Sequence, residues 1–551
     1  MSCKHSAKSI HPPSTPLPDC NISAFDSGAK RDLQVITATV PQRSRSYFTQ
    51  YSLRSHGDID LGNNVYRRRG IFELKRWPCE FRSLKWKDMM TETAEQCRLA
   101  GPMITVGYFQ VAFQFVALVF VGHFGKLALA GSSIATSVAN VTGLCIMTGI
   151  ASGLETLCGQ AYGAKQYNLV GHYLQAGILC LNVLALLISF IYGYMDEILI
   201  ALGQERAISM EAGKYARWLI PSLFAQASLQ PLVRFLLTQS LVRPIMICAG
   251  ISASLQVPLC WFLVYKTNFG FTGGALSTSV GCWIYAILLF LYVKLSSLCS
   301  KTNVPISIEA LRVMGGFMKF ALPSAAMTCL DWWCYEILVL LSGLLPNPQL
   351  QTSVLSICLN YAYLTYQIAS GLAASVSTRV SNELGACNPH RASNAAVVSV
   401  ILTECQGFAI SIIVLAFRHS LGHLFSGDAE VIEQVARMLQ LLAISSLLDS
   451  TQGVFSGIAR GCGWQFSGAI INLSSYYAVA LPVGACLAFL TPLRVQGLWI
   501  GVICGSVLQV TLLARLTLTA NWDQEVEIAK RRMMGDGKVD PCEETESLML
   551  L

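Results

Sequence analysis

Apolar runs of about twenty residues recur along this chain from Leu99 to Thr519, and each is long enough to cross a hydrocarbon core of roughly 30 Å. Twelve can be delimited, at about 100–122, 130–152, 169–192, 214–238, 243–265, 272–295, 316–345, 351–378, 393–417, 436–459, 467–490 and 497–519. Lipid offers a backbone no water to bond, so only helices and closed barrels span it. These runs lack the strict alternation of a barrel strand. The expected fold is therefore an all-α integral membrane protein with twelve transmembrane helices. The charges agree: of 71 in the chain, 26 fall in residues 1–98 and 12 in 521–551, which leaves the middle nearly bare. The net charge of +7 sits mainly in the first of those segments, so it gives no argument for nucleic acid as a partner.

Residues 1–98 hold no early apolar run of the kind a signal peptide needs and read as a polar, disordered cytosolic extension. An even number of spans places both ends of the chain on one side. Lys165, Arg243, Lys294, Lys301, Arg312, Lys319, Arg391 and Arg460 fall at loops on that side, while the alternate loops carry Asp196, Glu197, Glu205, Asp428 and Glu430. The excess of Lys and Arg marks the cytosol, so both termini, including the tail at 521–551, are expected there. The 20 cysteines are scattered and form no Cys-x-x-Cys, which supports neither a zinc site nor a disulfide framework. His419 and His423 stand four apart without a third ligand nearby, so no metal and no cofactor is expected.

The two halves repeat. Gly101-Pro102 corresponds to Leu322-Pro323 at an offset of 221, Gly163-Ala164 to Gly385-Ala386 at 222, Gln230 to Gln452 at 222, and Gly274 to Gly497 at 223. Six helices separate the copies, so the copies share one orientation and are related by an axis along the membrane normal, with a site expected at the midplane between them. The expected organisation is two pseudo-symmetric six-helix lobes, 99–295 and 316–520, joined by a cytosolic loop at 296–315.

Two aspartates stand inside these apolar runs: Asp331, in Thr328-Cys329-Leu330-Asp331-Trp332-Trp333, and Asp449, in Leu447-Leu448-Asp449-Ser450-Thr451-Gln452. A charge at the centre of a spanning helix costs at least about 2.5–3.5 kcal/mol, so such a residue faces a bundle interior or a wet cavity and marks an ion or substrate path. Carboxylic acids held away from water and near each other can exchange protons close to physiological pH. The plainer alternative is that each is held by a neighbouring hydroxyl or amide and only fixes packing. Glu336 lies five positions beyond Asp331, about 140° around a helix, and is the next coupling candidate. Asp331 corresponds in the repeat to Gln110, a neutral amide, so the ion chemistry is expected in the second half alone. Glu404 reads as one member of a packed polar pair.

The cavity between the halves is expected to draw on Trp332, Tyr361, Tyr366, Asn360 and the amides Gln110, Gln230 and Gln452, since rings offer stacking and cation–π surface to organic solutes. Glu155 and Arg379 end spans 2 and 8 on the cytosolic side, and a clamp between them would close that side. Local capping or snorkelling is the alternative for each.

Several stretches have a familiar wording. Cys329-Leu330-Asp331-Trp332-Trp333-Cys334-Tyr335-Glu336, Ser377-Thr378-Arg379-Val380-Ser381-Asn382-Glu383-Leu384-Gly385-Ala386, Leu154-Glu155-Thr156-Leu157-Cys158-Gly159-Gln160-Ala161 and Gln230-Pro231-Leu232-Val233-Arg234-Phe235 resemble plant-type MATE (multidrug and toxic compound extrusion) transporters, the detoxification proteins. The resemblance covers about residues 90–535. It implies the MATE fold of two lobes around a V-shaped cavity, and export of amphipathic organic compounds such as organic cations, flavonoids, alkaloids, hormones or xenobiotics in exchange for protons. It also implies that Asp331 and Asp449 are the proton-linked pair. Asp331 stands where the family usually has Glu, and Ile368-Ala369 where Ile-Pro is expected. The implied protein is no enzyme, needs only a proton or sodium as coupling ion, works as a monomer in the bilayer, and sits in the plasma or vacuolar membrane. Sodium coupling, a passive channel and a scaffold are the rivals. An intramembrane aspartyl protease would need Gly-x-Gly-Asp, which is absent.

Overall fold

The computed structural model describes residues 86–424 and 428–534. Among them lie α1 (Trp86–Gly122), α2 (Lys126–Gly163), α3 (Tyr167–Gly193), α4 (Arg206–Thr238), α5 (Val242–Lys266) and α6 (Thr272–Leu295) in the first half. The second half holds α7 (Glu309–Ser342), α8 (Pro348–Gly385), α9 (Pro389–Gly422), α10 (Ala429–Cys462), α11 (Gln465–Leu490) and α12 (Val495–Leu518), followed by a shorter α13 (Trp522–Met534). The described residues contain no strand. Ten of these helices are long and apolar enough to cross a membrane. The other two long ones, α4 and α8, are less apolar because they turn polar groups inward: Gln230 in one, and Ser375, Ser377, Thr378, Ser381 and Glu383 in the other, are all buried. Each expected apolar run thus has its helix.

The first helix begins at Trp86, inside the segment read as an unstructured extension, whose residues 1–85 lie outside the described ones. Its opening turns are polar, yet Glu92 and Gln96 are buried. Gln96 donates to Glu92 at 3.1 Å and accepts from the Ser375 hydroxyl at 2.8 Å, and Arg379 grips Glu92 through Nε at 3.0 Å and Nη2 at 2.8 Å. Polarity made this turn look like tail, but partners on α8 turn it into core.

The repeat is visible as reciprocal contacts. In lipid, helices associate through close packing rather than through the hydrophobic effect, so small residues mark where backbones cross. At one end of the bundle α2 crosses α8: a Cβ added to Gly163 would lie 2.0 Å from the carbonyl oxygen of Asn382, and one added to Gly385 would lie 2.1 Å from that of Gln160. Beyond both helices the chain turns tightly, and Lys165 and Cys387 hold φ of 58° and 59°, in the left-handed region. The lobes also lend each other a helix. Phe317, Ala321 and Ala325 of α7 pack into the core of the first lobe, while Ala100 and Ile104 of α1 pack with α8, where a Cβ on Gly371 would meet Ile104 at 2.4 Å. Wide turns of π geometry interrupt α2 at Asn140–Leu144 and α11 at Leu473–Ala480, and one at Phe262–Lys266 ends α5. No proline falls inside α8 after its first turn, and it runs unbroken through Ile368-Ala369.

Candidate functional site

A cavity of about 650 Å³ lies between the two lobes. Asp331, Trp332 and Glu336 reach its wall from α7, Asn360 and Tyr366 from α8, and the amides Gln110, Gln230 and Gln452 from α1, α4 and α10. The Trp332 ring meets Tyr363 edge-on, with centroids 6.2 Å apart. Tyr361 does not take part. It packs in the apolar core of the second lobe and its hydroxyl donates to the Leu421 carbonyl at 2.7 Å. Neighbouring residues on a helix point about 100° apart, so Asn360 reaches the cavity and Tyr361 the opposite packing surface.

The two aspartates come together. Asp449 stands behind the cavity wall, 9% exposed, close enough to Asp331 for their charges to interact. Three phenols, Tyr335, Tyr366 and Tyr476, surround the pair and feel both charges. Ser506 of α12 donates to Asp449 Oδ1 at a long 3.5 Å. Tyr476 and Gln452 approach the Asp331 carboxyl, but Asp331 Oδ1 and the Tyr476 hydroxyl are buried without a completed hydrogen bond. A buried polar atom left in that state costs on the order of 1–3 kcal/mol, and this cost would be relieved by a proton or other cation. Behind the pair, Gln509 donates to Gln452 at 3.2 Å and to Asn472 at 2.8 Å, and Asn472 donates to the Met327 carbonyl at 2.8 Å. The acid site is thereby tied to the backbone of α7 one turn before Asp331. Glu336 takes a long 3.5 Å bond from Ser137 of the first lobe, away from the pair. Glu404 is bonded by Thr451 at 2.7 Å, the packed pair expected of it.

Glu155 forms a latch, but not with Arg379. Arg234 of its own lobe pairs with Oε1 at 2.7 Å, while Arg460 of the other lobe pairs with Oε2 at 2.9 Å and Ser377 donates to the same oxygen at 2.6 Å. The Glu155 side chain is 1% exposed. Arg379 instead faces α1 and its own helix, held by Glu92 and by Glu383 at 3.1 Å. Arg379 follows Ser377 by two residues and so points away from the face that meets α2. Around the latch, Thr156 donates to the Arg460 carbonyl, Gln160 to that of Gly461 at 3.2 Å, and Asn382 to that of Thr238 at 3.0 Å. Arg532 of α13 bonds Gln160 of one lobe at 3.3 Å and the Cys462 carbonyl of the other at 2.9 Å. Sequence reasoning missed Arg234 and Arg460 as partners. The signal was present: an arginine inside a spanning helix stays charged and needs an acid, and Arg234 lies four residues past a cavity glutamine. Gln509, Asn472 and Ser506 carried no such signal.

A family model for MatE matches residues 102–262 and 323–486, two segments that begin 221 residues apart, as do the prolines of the repeat. Protein DETOXIFICATION 10 of Arabidopsis thaliana is 47% identical over 453 residues, 81% of this chain and 93% of that protein. Protein DETOXIFICATION 12 of the same plant is 47% identical over 456 residues, 82% of this chain and 95% of the other. The crystal structure of the eukaryotic MATE transporter AtDTX14 superposes with a TM-score of 0.78 at 42% identity, covering 81% of this chain and all of that one, 100%.

Proposed function

Starting from the premise that this chain is a member of the MatE family and a multi-pass membrane protein, we propose that it exports amphipathic organic compounds from the cytosol in exchange for protons. The observation that carries this reading is the acid pair: Asp331 opens on the inter-lobe cavity, Asp449 lies directly behind it, and the place equivalent to Asp331 in the facing lobe holds the neutral amide of Gln110. Organic cations, flavonoids, alkaloids, hormones and xenobiotics share the apolar, ring-bearing character that the Trp332, Tyr363 and Tyr366 wall suits.

In this mechanism substrate enters the cavity from the cytosol when the latch around Glu155 is open and the acid pair is deprotonated. On this reading, the latch-closed arrangement is the one in which the cavity faces away from the cytosol. Protons from the acidic side neutralise Asp331 and Asp449, Asp331 resettles against Tyr476 and Gln452, and the movement passes through the Gln452–Gln509–Asn472 chain to α7. Because α7 packs on α2 of the other lobe, its displacement changes the fit between the lobes and releases substrate. The chain works as a monomer in the plasma or vacuolar membrane with both termini in the cytosol, both being membranes with acid on the far side.

The test is efflux of a fluorescent organic cation, comparing wild type with Asp331→Asn and Asp449→Asn at matched surface amounts. Loss of pH-driven efflux in either variant is the expected result. Efflux that survives collapse of the pH gradient would sink proton coupling, and its loss on replacing sodium by choline would assign sodium instead.

A further inference from the structure

Two cysteines meet across the lobes beside the acid pair. Cys145 follows the π turn of α2, Cys329 lies in α7, and their sulfur atoms are 3.5 Å apart. Both are free thiols, 1% and 5% exposed. They form one rung of a ladder of small residues between the two antiparallel helices. A Cβ on Gly149 would lie 2.7 Å from the Ala325 Cα, and one on Gly153 would lie 2.9 Å from that of Ala321. Four residues separate successive rungs on each helix, 145, 149 and 153 on one against 329, 325 and 321 on the other. Glycine and alanine therefore bring the two backbones together, and a disulfide needs such closeness, with Cα atoms usually about 4.4–6.8 Å apart. The ladder ends at the cavity, whose wall includes Cys145, so a small solute has a path to that sulfur. The Cys145 thiol is directed at the Cys329 sulfur, so the two sulfur atoms already face each other.

We infer that Cys145 and Cys329 are an oxidisable pair whose disulfide, formed by a peroxide entering through the cavity, locks the two lobes in the arrangement with the latch closed. Sγ of Cys145 attacks one oxygen of hydrogen peroxide as the O–O bond breaks, giving a sulfenic acid and, with the thiol proton, one water. Sγ of Cys329 then attacks the sulfenic sulfur, the S–O bond breaks, and the hydroxyl leaves with the second thiol proton as another water. Two thiols are oxidised and one peroxide is reduced. The bond would sit between helices that must shift past each other if the cavity is to open to the other side, and a reductant would release it.

The bond can be read without any transport assay. A protease site placed beside Ile306, 94% exposed in the segment between the lobes, lets the full-length protein be cut into halves in its membrane. After hydrogen peroxide the wild-type halves are expected to stay joined on a non-reducing gel and to separate with dithiothreitol, whereas Cys145→Ser and Cys329→Ser separate in both cases. Wild-type halves that separate after peroxide, or serine variants that stay joined as fully as wild type, would overturn the pair. Should a variant fail to accumulate, peptide mass mapping of oxidised wild type decides the matter by the presence or absence of the joined peptides carrying Cys145 and Cys329. The lock itself rests on the export reading. Peroxide is expected to remove most efflux and dithiothreitol to restore it, and a joined band with undiminished efflux would overturn the lock. Untreated protein that transports nothing would count against export and leave the bond standing.

Discussion

The two lobes share a frame and differ in chemistry. At equivalent places the first offers Gln110 and Ala227 where the second offers Asp331 and Asp449, at offsets of 221 and 222. In the first lobe Gln230 donates to Gln226 at 3.0 Å, and Gln226 to the Cys282 sulfur at 3.4 Å, a neutral chain with every step bonded. In the second, Gln452 belongs to a network beside two acids, with a carboxylate oxygen and a phenol left incompletely bonded. Where the lobes meet at the latch end, by contrast, they match, glycine to carbonyl in both directions. Symmetry serves closure of the bundle, and its breaking places a titratable group on one side only.

The largest test of that contrast is to move the acid. Asp331→Asn is expected to reduce gradient-driven efflux to background, and adding Gln110→Asp is expected not to restore it, because the first lobe has Gln114 and Leu144 where the second has Tyr335 and Tyr366, and Ala227 in place of the second acid. Restored efflux in the double variant, measured in the same vesicles, would break the comparison. The latch comes next. Glu155→Gln leaves two arginines short of an acid and should cost about 3–5 kcal/mol, read as a lower unfolding midpoint of the purified protein. A double-mutant cycle with Arg460→Gln should return a coupling of about 0.5–3 kcal/mol. Gly163→Ala and Gly385→Ala each drive a methyl into the opposite lobe and should destabilise by about 1–3 kcal/mol. Gly101→Ala meets nothing within 4 Å and should gain up to about 1 kcal/mol; equal effects in thermal unfolding would deny the reciprocal fit. Smallest is Tyr361→Phe, which loses one hydrogen bond, about 0.5–1.5 kcal/mol, with efflux unchanged.

The sequence made the helices legible because lipid leaves the backbone one solution, and it made Asp331 and Asp449 legible because an acid in an apolar run demands a reason. It did not reveal pairings. Glu155 was recognisable as a buried acid, but its choice of Arg234 and Arg460 over Arg379 depends on which way α8 is rotated, and a single sequence does not fix rotation. Glu92 and Gln96 failed as core for the same reason: their hydropathy says water, and only α8 supplies the partners that replace it. Tyr361 and Asn360, adjacent in the chain, part company because the cavity takes one side of α8 and the core of the second lobe takes another, and a single sequence does not say which neighbour faces which.

Glu155 is synthesised 305 residues before Arg460, and through that interval of insertion into the membrane its charge would have no answer from the other lobe. Arg234, within the same half and ion-paired with the other carboxylate oxygen, supplies one. The first half therefore leaves the ribosome with its most buried acid already answered, while Arg460 arrives late, as a second grip on a carboxylate already paired.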